Sequence, residues 1–203
     1  MYTLIAPAIP ERYQSTMALI YIGIGSNLDD PLSHVREAIS ELRQLKDCRF
    51  QTVSGLYKSR PLPIPQPDQQ KAVAPSREHT PEESQAQPDY INAVAAIETD
   101  RNALSLLDDL QAIENQHGRV RSAERWGPRT LDLDVLLIDD KIINHARLII
   151  PHPGLHERSF VLYPLQEIAP DLSIPDHNSK KSSSLKELVA RCDDEGLERL
   201  YDA

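Results

Sequence analysis

The segment Leu131-Asp132-Leu133-Asp134-Val135-Leu136-Leu137-Ile138 limits the possible folds more than any other part of this chain. It alternates apolar and acidic residues at its start and is wholly apolar from Val135. That pattern predicts a strand entering the core, because successive strand side chains point to opposite faces. Asp132 and Asp134 then share one face, with Cα atoms roughly 6.5–7 Å apart, while Leu131 and Leu133 share the other. Two acids mounted in this way can hold divalent cations, the arrangement used on transferring phosphates. Just upstream, Arg119, Arg121, Arg125 and Arg129 supply forked, permanently charged donors suited to phosphate oxygens. From Arg119 to Asp134 these four arginines meet three acids (Glu124, Asp132 and Asp134), so the run carries +1 while the chain totals −9. A locally basic run on an acidic protein points to an anionic ligand. Taken singly, alternating acids also describe a solvated sheet face, and arginines near a helix end also describe caps.

The rest of the chain places that strand in order. Ala18 to Ile24 is an apolar run that predicts a buried strand. Asp30-Pro31 offers an N-cap and a proline at the first helical position, and Leu32, Val35, Ile39 and Leu42 recur at helical spacing, predicting a helix to about Leu45. Strands are expected over Arg49–Tyr57 and Tyr90–Glu98, and a second helix from about Asn102 to His117, stopped by Gly118. The order is βαββαβ, a ferredoxin-like split unit, so the fold class is α+β, an antiparallel-rich sheet with helices packed on it. Residues 141–150 suggest a short hairpin and Ser159–Ile168 a helix despite Pro164. Ser184 with Glu187 reads as the capping box of a C-terminal helix.

At 203 residues, 40% hydrophobic and 26% charged, the chain is expected to form one domain over 18–203. Residues 1–17 read as a flexible N-terminal extension, with Met17 as an alternative start. Lys58–Pro88 holds seven prolines and little to bury, which predicts a long mobile loop, either a lid or an insert without a role. The net charge argues against nucleic acid or an anionic membrane as partner, and no apolar stretch approaches the length of a membrane span. Cys48 and Cys192 make no disulfide framework and have no zinc spacing, so a cytoplasmic location with reduced thiols is expected, and a monomer. His152 and His156 lie four apart, but Pro153 and Gly154 between them spoil a helical zinc pair. No Gly-rich P-loop with Lys-Ser/Thr and no His-Arg-Asp catalytic loop is present.

The run Arg125-Trp126-Gly127-Pro128-Arg129-Thr130-Leu131-Asp132-Leu133-Asp134 resembles the signature of the 6-hydroxymethyl-7,8-dihydropterin pyrophosphokinase family. The likeness extends in order from Tyr21–Leu28 through Pro88–Asn92 to Pro151-His152 and Arg158–Phe160, most of the chain. It implies a ferredoxin-like core and transfer of diphosphate from MgATP to the pterin hydroxymethyl group, giving AMP in folate biosynthesis. It implies two Mg²⁺ ions on Asp132 and Asp134, with ATP as co-substrate. Arg119 and Arg121 are expected to neutralise the phosphates as charge shifts to the leaving group, and Arg129 to grip them. Gln111, Glu114, Trp126, Arg147, His152 and Arg158 are expected ATP contacts. Ser59, Leu62, Tyr90, Asn92 and Phe160 are expected around the pterin. Tyr90 and Phe160 are suited to stacking on a flat ring and Asn92 to its polar edge. For several of these a plainer role is equally written in the residue: Trp126 and Phe160 as core, His152 as a packed neutral imidazole, Gln111 and Glu114 as a solvated helix face. The loop departs from the family by roughly twenty inserted residues. A γ-phosphoryl kinase or two-metal hydrolase, and a nucleotide or pterin sensor without turnover, are the competing functions.

Overall fold

The computed structural model describes residues 17–62, 87–119, 127–177, 182–194 and 196–203. The expected N-terminal extension, apart from Met17, and most of the proline-rich loop lie outside them. β1 (Ala18–Ser26) carries Ile20, Ile22 and Ile24 on one face and Tyr21, Gly23 and Gly25 on the other. Apolar on both sides, it takes a central place. It pairs antiparallel with β4 (Tyr90–Thr99) on one side and β5 (Asp132–Ile138) on the other. β2 (Arg49–Val53) and β3 (Leu56–Ser59) both pair with β4, and β10 (Glu198–Tyr201) closes the far edge on β3. The resulting order, β10-β3-β4-β1-β5 with β2 also on β4, is that of a ferredoxin-like sheet extended by one strand.

α1 (Pro31–Leu42) and α2 (Ala103–Gln116) cover one face of the sheet. Val35, Ile39 and Leu42 from α1 and Leu106, Leu110 and Ile113 from α2 meet Ile20, Ile22, Leu133 and Val135 there. Burying such side chains contributes on the order of 1.5–3 kcal/mol each. α3 (Ser159–Ile168) and α4 (Leu185–Arg191) cover part of the other face through Val161, Leu162, Leu165 and Leu185 over Tyr21, Val94 and Leu136. The 143–150 hairpin is present as β6 (Ile143–His145) and β7 (Leu148–Ile150), and β8 (Ser173–Pro175) pairs with β9 (Ser182–Ser184).

Three local expectations need correction. The single strand over Arg49–Tyr57 is two, because buried Ser54 interrupts the ladder. Its N–H donates to the Val94 carbonyl at 2.9 Å and its Oγ accepts from the Val94 N–H at 3.0 Å. α1 stops at Leu42 rather than Leu45, since Gln44 and Leu45 bond back three residues to Glu41 and Leu42, a tighter turn that ends the helix. The capping box at Ser184 is not made. That residue is the last of β9 and its side chain caps nothing, leaving α4 without a side-chain N-cap. Asp30, in contrast, caps α1 as expected, with its carboxylate accepting from the Ser33 hydroxyl at 2.8 Å.

Candidate active site

The second face of the sheet is uncovered over the C-terminal half of β1, and a cavity of about 340 Å³ opens there. Its floor follows from strand register. Gly25 lies opposite Asp132 and Gly23 opposite Asp134, so the two acids stand beside a stretch of sheet with no side chains. A Cβ on Gly25 would meet Asn92 Oδ1 at 3.4 Å, and one on Gly23 would meet Leu136 at 3.3 Å. Glycine at i and i+2 therefore keeps the floor open.

Asp132 and Asp134 both line this cavity. Arg119 Nη1 approaches Asp132 Oδ1 at 2.7 Å, and Arg129 holds Asp132 Oδ2, so arginines engage both oxygens of that carboxylate. Asp134 lies deep in the molecule, though its side chain keeps 39% of its surface open to the cavity. Burial, and next the Asp132 charge, push its carboxyl up to about 7. Two neighbouring carboxylates, one resisting ionisation, form a donor set that a hard divalent cation would relieve, so the pair fits Mg²⁺. His152 Nε2 is 3.7 Å from Asp134 Oδ2. The Gly154 N–H donates to His152 Nδ1 at 3.2 Å, which leaves the ring proton on Nε2, facing the acids. Burial, followed by the Arg158 charge, lowers its pKa to about 4, so the ring is neutral at physiological pH.

Opposite the acids, Asn92 and Ser59 form a polar pair, 5% and 6% exposed, joined by a 3.0 Å bond from Asn92 Nδ2 to Ser59 Oγ. Tyr90, Leu62 and Phe160 complete that end, and the Arg158 guanidinium lies 5.9 Å from the Phe160 ring centre. Of the residues singled out from sequence, the cavity gathers Ser59, Leu62, Tyr90, Asn92, Arg129, Asp132, Asp134, His152, Arg158 and Phe160. Arg119 reaches it through Asp132.

Others stand elsewhere. Glu114 is 2% exposed, and its Oε1 accepts from the Leu133 N–H at 2.8 Å and from Arg119. It braces β5 from beneath rather than presenting a solvated face. Gln111 is half-buried on α2 outside the cavity lining. Arg147 is exposed on the β6–β7 hairpin and paired with Asp108. Arg121 and Trp126 lie outside the described residues.

Asn27, just past the end of β1, was not singled out from sequence, yet it organises the site. Its Oδ1 accepts from the Arg129 N–H at 2.7 Å, its N–H donates to the Arg129 carbonyl at 3.0 Å, and its Nδ2 donates to the Pro88 carbonyl at 3.2 Å. One buried amide thus ties the end of β1 to the residues leading into β4 and β5.

Comparison with known proteins supplies a family. Residues 21–170 match the model of the 7,8-dihydro-6-hydroxymethylpterin-pyrophosphokinase family. The 2-amino-4-hydroxy-6-hydroxymethyldihydropteridine pyrophosphokinase of Haemophilus influenzae is 43% identical over 91% of this chain and 99% of its own length. The enzyme of that name from Pseudomonas aeruginosa is 42% identical, over 91% and 98%. Among solved structures, a Plasmodium falciparum HPPK-DHPS aligns over 88% of this chain with a TM-score of 0.58 and 15% identity. Another HPPK-DHPS, in complex with substrates, aligns over 91% with a TM-score of 0.59 and 14% identity. This chain spans 42% and 47% of those two chains' lengths, and at such identity they speak to the fold alone.

Proposed function

The chain belongs to the 7,8-dihydro-6-hydroxymethylpterin-pyrophosphokinase family, and from that premise we propose that it transfers diphosphate from ATP to the hydroxymethyl group of 6-hydroxymethyl-7,8-dihydropterin, releasing AMP. The observation that carries this reading is the joining of two chemistries in one cavity: paired acids ringed by arginines at one end, and a buried amide–hydroxyl pair between aromatic rings at the other.

In this reading the pterin edge exchanges donors and acceptors with Asn92 and Ser59, and Tyr90 and Phe160 take its flat faces. The triphosphate lies toward Asp132 and Asp134, which would hold two Mg²⁺ ions. When bound, those ions supply charge neutralisation and in-line alignment of the phosphates. The oxygen–phosphorus bond forms at the β-phosphorus as the bond to AMP breaks. His152, with its proton on Nε2, donates to a phosphate oxygen without carrying charge. Arg119 and Arg129, which hold Asp132, are placed to turn to phosphate oxygens, and Arg158 closes from the α3 side. Arg121, Trp126, Gln111, Glu114 and Arg147 remain expectations of family likeness as nucleotide contacts.

The same reading takes 18–203 as one catalytic domain, working as a cytoplasmic monomer on small molecules rather than on nucleic acid or membrane. In support, the chain carries −9, and no helix among the described residues is long and apolar enough to cross a membrane. Phosphorus NMR of a mixture of chain, MgATP and 6-hydroxymethyl-7,8-dihydropterin tests the reaction. The expected products are AMP and the pterin diphosphate, and ADP in their place would refute pyrophosphoryl transfer.

A further inference from the structure

On the face of the sheet away from the cavity, α1 and the C-terminal end of α2 bring together three ligating side chains that the reaction does not use. His34 and Glu37 stand three apart on α1, hence side by side on its surface, and His117 is the C-cap of α2. One ligating atom from each lies within 4.8 Å of the other two. The Nδ1 atoms of His34 and His117 are 2.8 Å apart, with the rings edge-on at 62°. Neutral imidazoles can meet in this way only if one nitrogen carries a proton and the other a bare lone pair.

Glu41 decides which. His117 Nε2 lies 2.9 Å from the Glu41 carboxylate, which can only accept, so the proton of a neutral His117 sits on Nε2 and its Nδ1 presents a lone pair. A carboxylate on the far nitrogen is also the arrangement that fixes the orientation and raises the basicity of a metal-binding histidine. His117 is held rigidly, with its side chain 6% exposed, while Glu37 is open to solvent and offers an entry path.

We propose that His34, Glu37 and His117 form a site for a divalent transition ion of the Zn²⁺ type, with a water as fourth ligand and Glu41 orienting His117. Two imidazoles and one carboxylate suit Zn²⁺ and disfavour Mg²⁺, which prefers oxygen ligands, so this site and the Asp132–Asp134 pair select different ions. Binding moves the His34 ring proton through solvent from Nδ1 to Nε2, with no net change of charge. Two Zn–N bonds of about 2.0–2.1 Å place their nitrogens roughly 3.3 Å apart, so the rings part only slightly. The ion would pin α2 to α1 one residue before Gly118, whose φ of +77° starts the turn into Arg119.

The test is calorimetric titration of the metal-stripped full chain with ZnCl₂ in saturating Mg²⁺, repeated with CoCl₂ to read the visible absorption of a four-coordinate ion. One Zn²⁺ per chain is expected. Affinity should fall tenfold or more in His34→Ala and in Glu37→Ala, and about tenfold in Glu41→Gln. Asp134→Asn should leave it unchanged. Glu37 is exposed, so that variant keeps the test open if a histidine variant fails to fold. The proposal is overturned if the wild type takes up no stoichiometric Zn²⁺, if both alanine variants bind as tightly as wild type, or if Asp134→Asn alone removes the binding.

Discussion

Asp134 concentrates the conflict in this site, because its proposed role as a cation ligand needs ionisation and its surroundings resist it. Its carboxyl is raised by burial and by Asp132. A raised acid contributes stability that is present below its ordinary pKa, near 4, and is lost as pH climbs through the folded value of about 7. Metal-free protein should therefore melt lower at pH 8 than at pH 6, and saturating Mg²⁺ should narrow the gap. Asp134→Asn should abolish turnover while raising the metal-free melting temperature at pH 8 by about 2–4 °C, corresponding to roughly 1 kcal/mol after allowance for solvent screening. A calorimetric melt in chelator decides it; a lower melting temperature would mean that the charge is not strained. Arg119 poses a different question. It is paired with Asp132 and Glu114, so its proposed phosphate contacts require it to leave those acids. Arg119→Ala should lower kcat far more than it weakens ATP binding, on the order of 10²-fold or more by analogy with loss of a transition-state donor. Equal losses in both would make it a ground-state binder.

Among the elements, the connections into β4 and β5 depend on Asn27. Asn27→Ala removes the acceptor of the Arg129 N–H and the donor to Pro88, and leaves a hole at a position 1% exposed. A loss of about 2–3 kcal/mol and a melting temperature lower by about 4–12 °C are expected. KM values should rise for both substrates, because the strand bearing the acids and the strand bearing Tyr90 and Asn92 lose their common tie. Thermal melts with steady-state kinetics check this; unchanged KM values would reduce Asn27 to a purely local turn residue. The same residue marks how far the sequence could be read. Strands β1, β4 and β5 and helices α1 and α2 were legible because their burial is periodic, with Ile20-Ile22-Ile24 and Leu106-Leu110-Ile113 each keeping one face. From those periods followed the shared face of Asp132 and Asp134. Tertiary exchanges were not legible: Ser54 replacing a ladder bond, Ser184 taken by β9 rather than capping α4, and Glu114 turned under β5. In each case a polar side chain satisfies a partner distant in sequence, and no spacing rule encodes that choice.

Over the whole molecule, the C-terminal strand and the second helical layer are tied to the sheet through one carboxylate. Glu167 of α3 accepts from the Tyr57 hydroxyl of β3 at 2.9 Å, from the N–H of Gly55 just before that strand at 3.2 Å, and from Arg199 of β10 at 2.9 Å. Four-residue β10 has no buried residue to announce it in sequence, and its place is set by this ion pair and its pairing with β3. A Cβ at Gly55 would come within 2.8 Å of the Arg199 guanidinium, so a larger residue there would displace that side chain. Burial opposes ionisation of Glu167, but the bonds from Arg199, Tyr57 and Gly55 outweigh it and hold the carboxyl below its ordinary value. A lowered acid contributes stability that is present above its unfolded pKa and lost as pH falls through the folded one. Tyr57 works at the other end of the scale. Burial, then Glu167, push its phenol up to about 12, so its contribution is intact below pH 10 and fades between 10 and 12. Glu167→Ala should therefore cost about 1–2 kcal/mol at pH 7, flatten the acid limb of the stability curve below pH 4.5, and, by lowering the folded Tyr57 pKa toward 10, shrink the alkaline loss above pH 10. Because β10 is the edge strand, the variant should also expose β3 and associate at high concentration. Urea unfolding across pH, followed by light scattering, measures both effects. An unchanged acid limb would show that β10 is held by its backbone pairing alone.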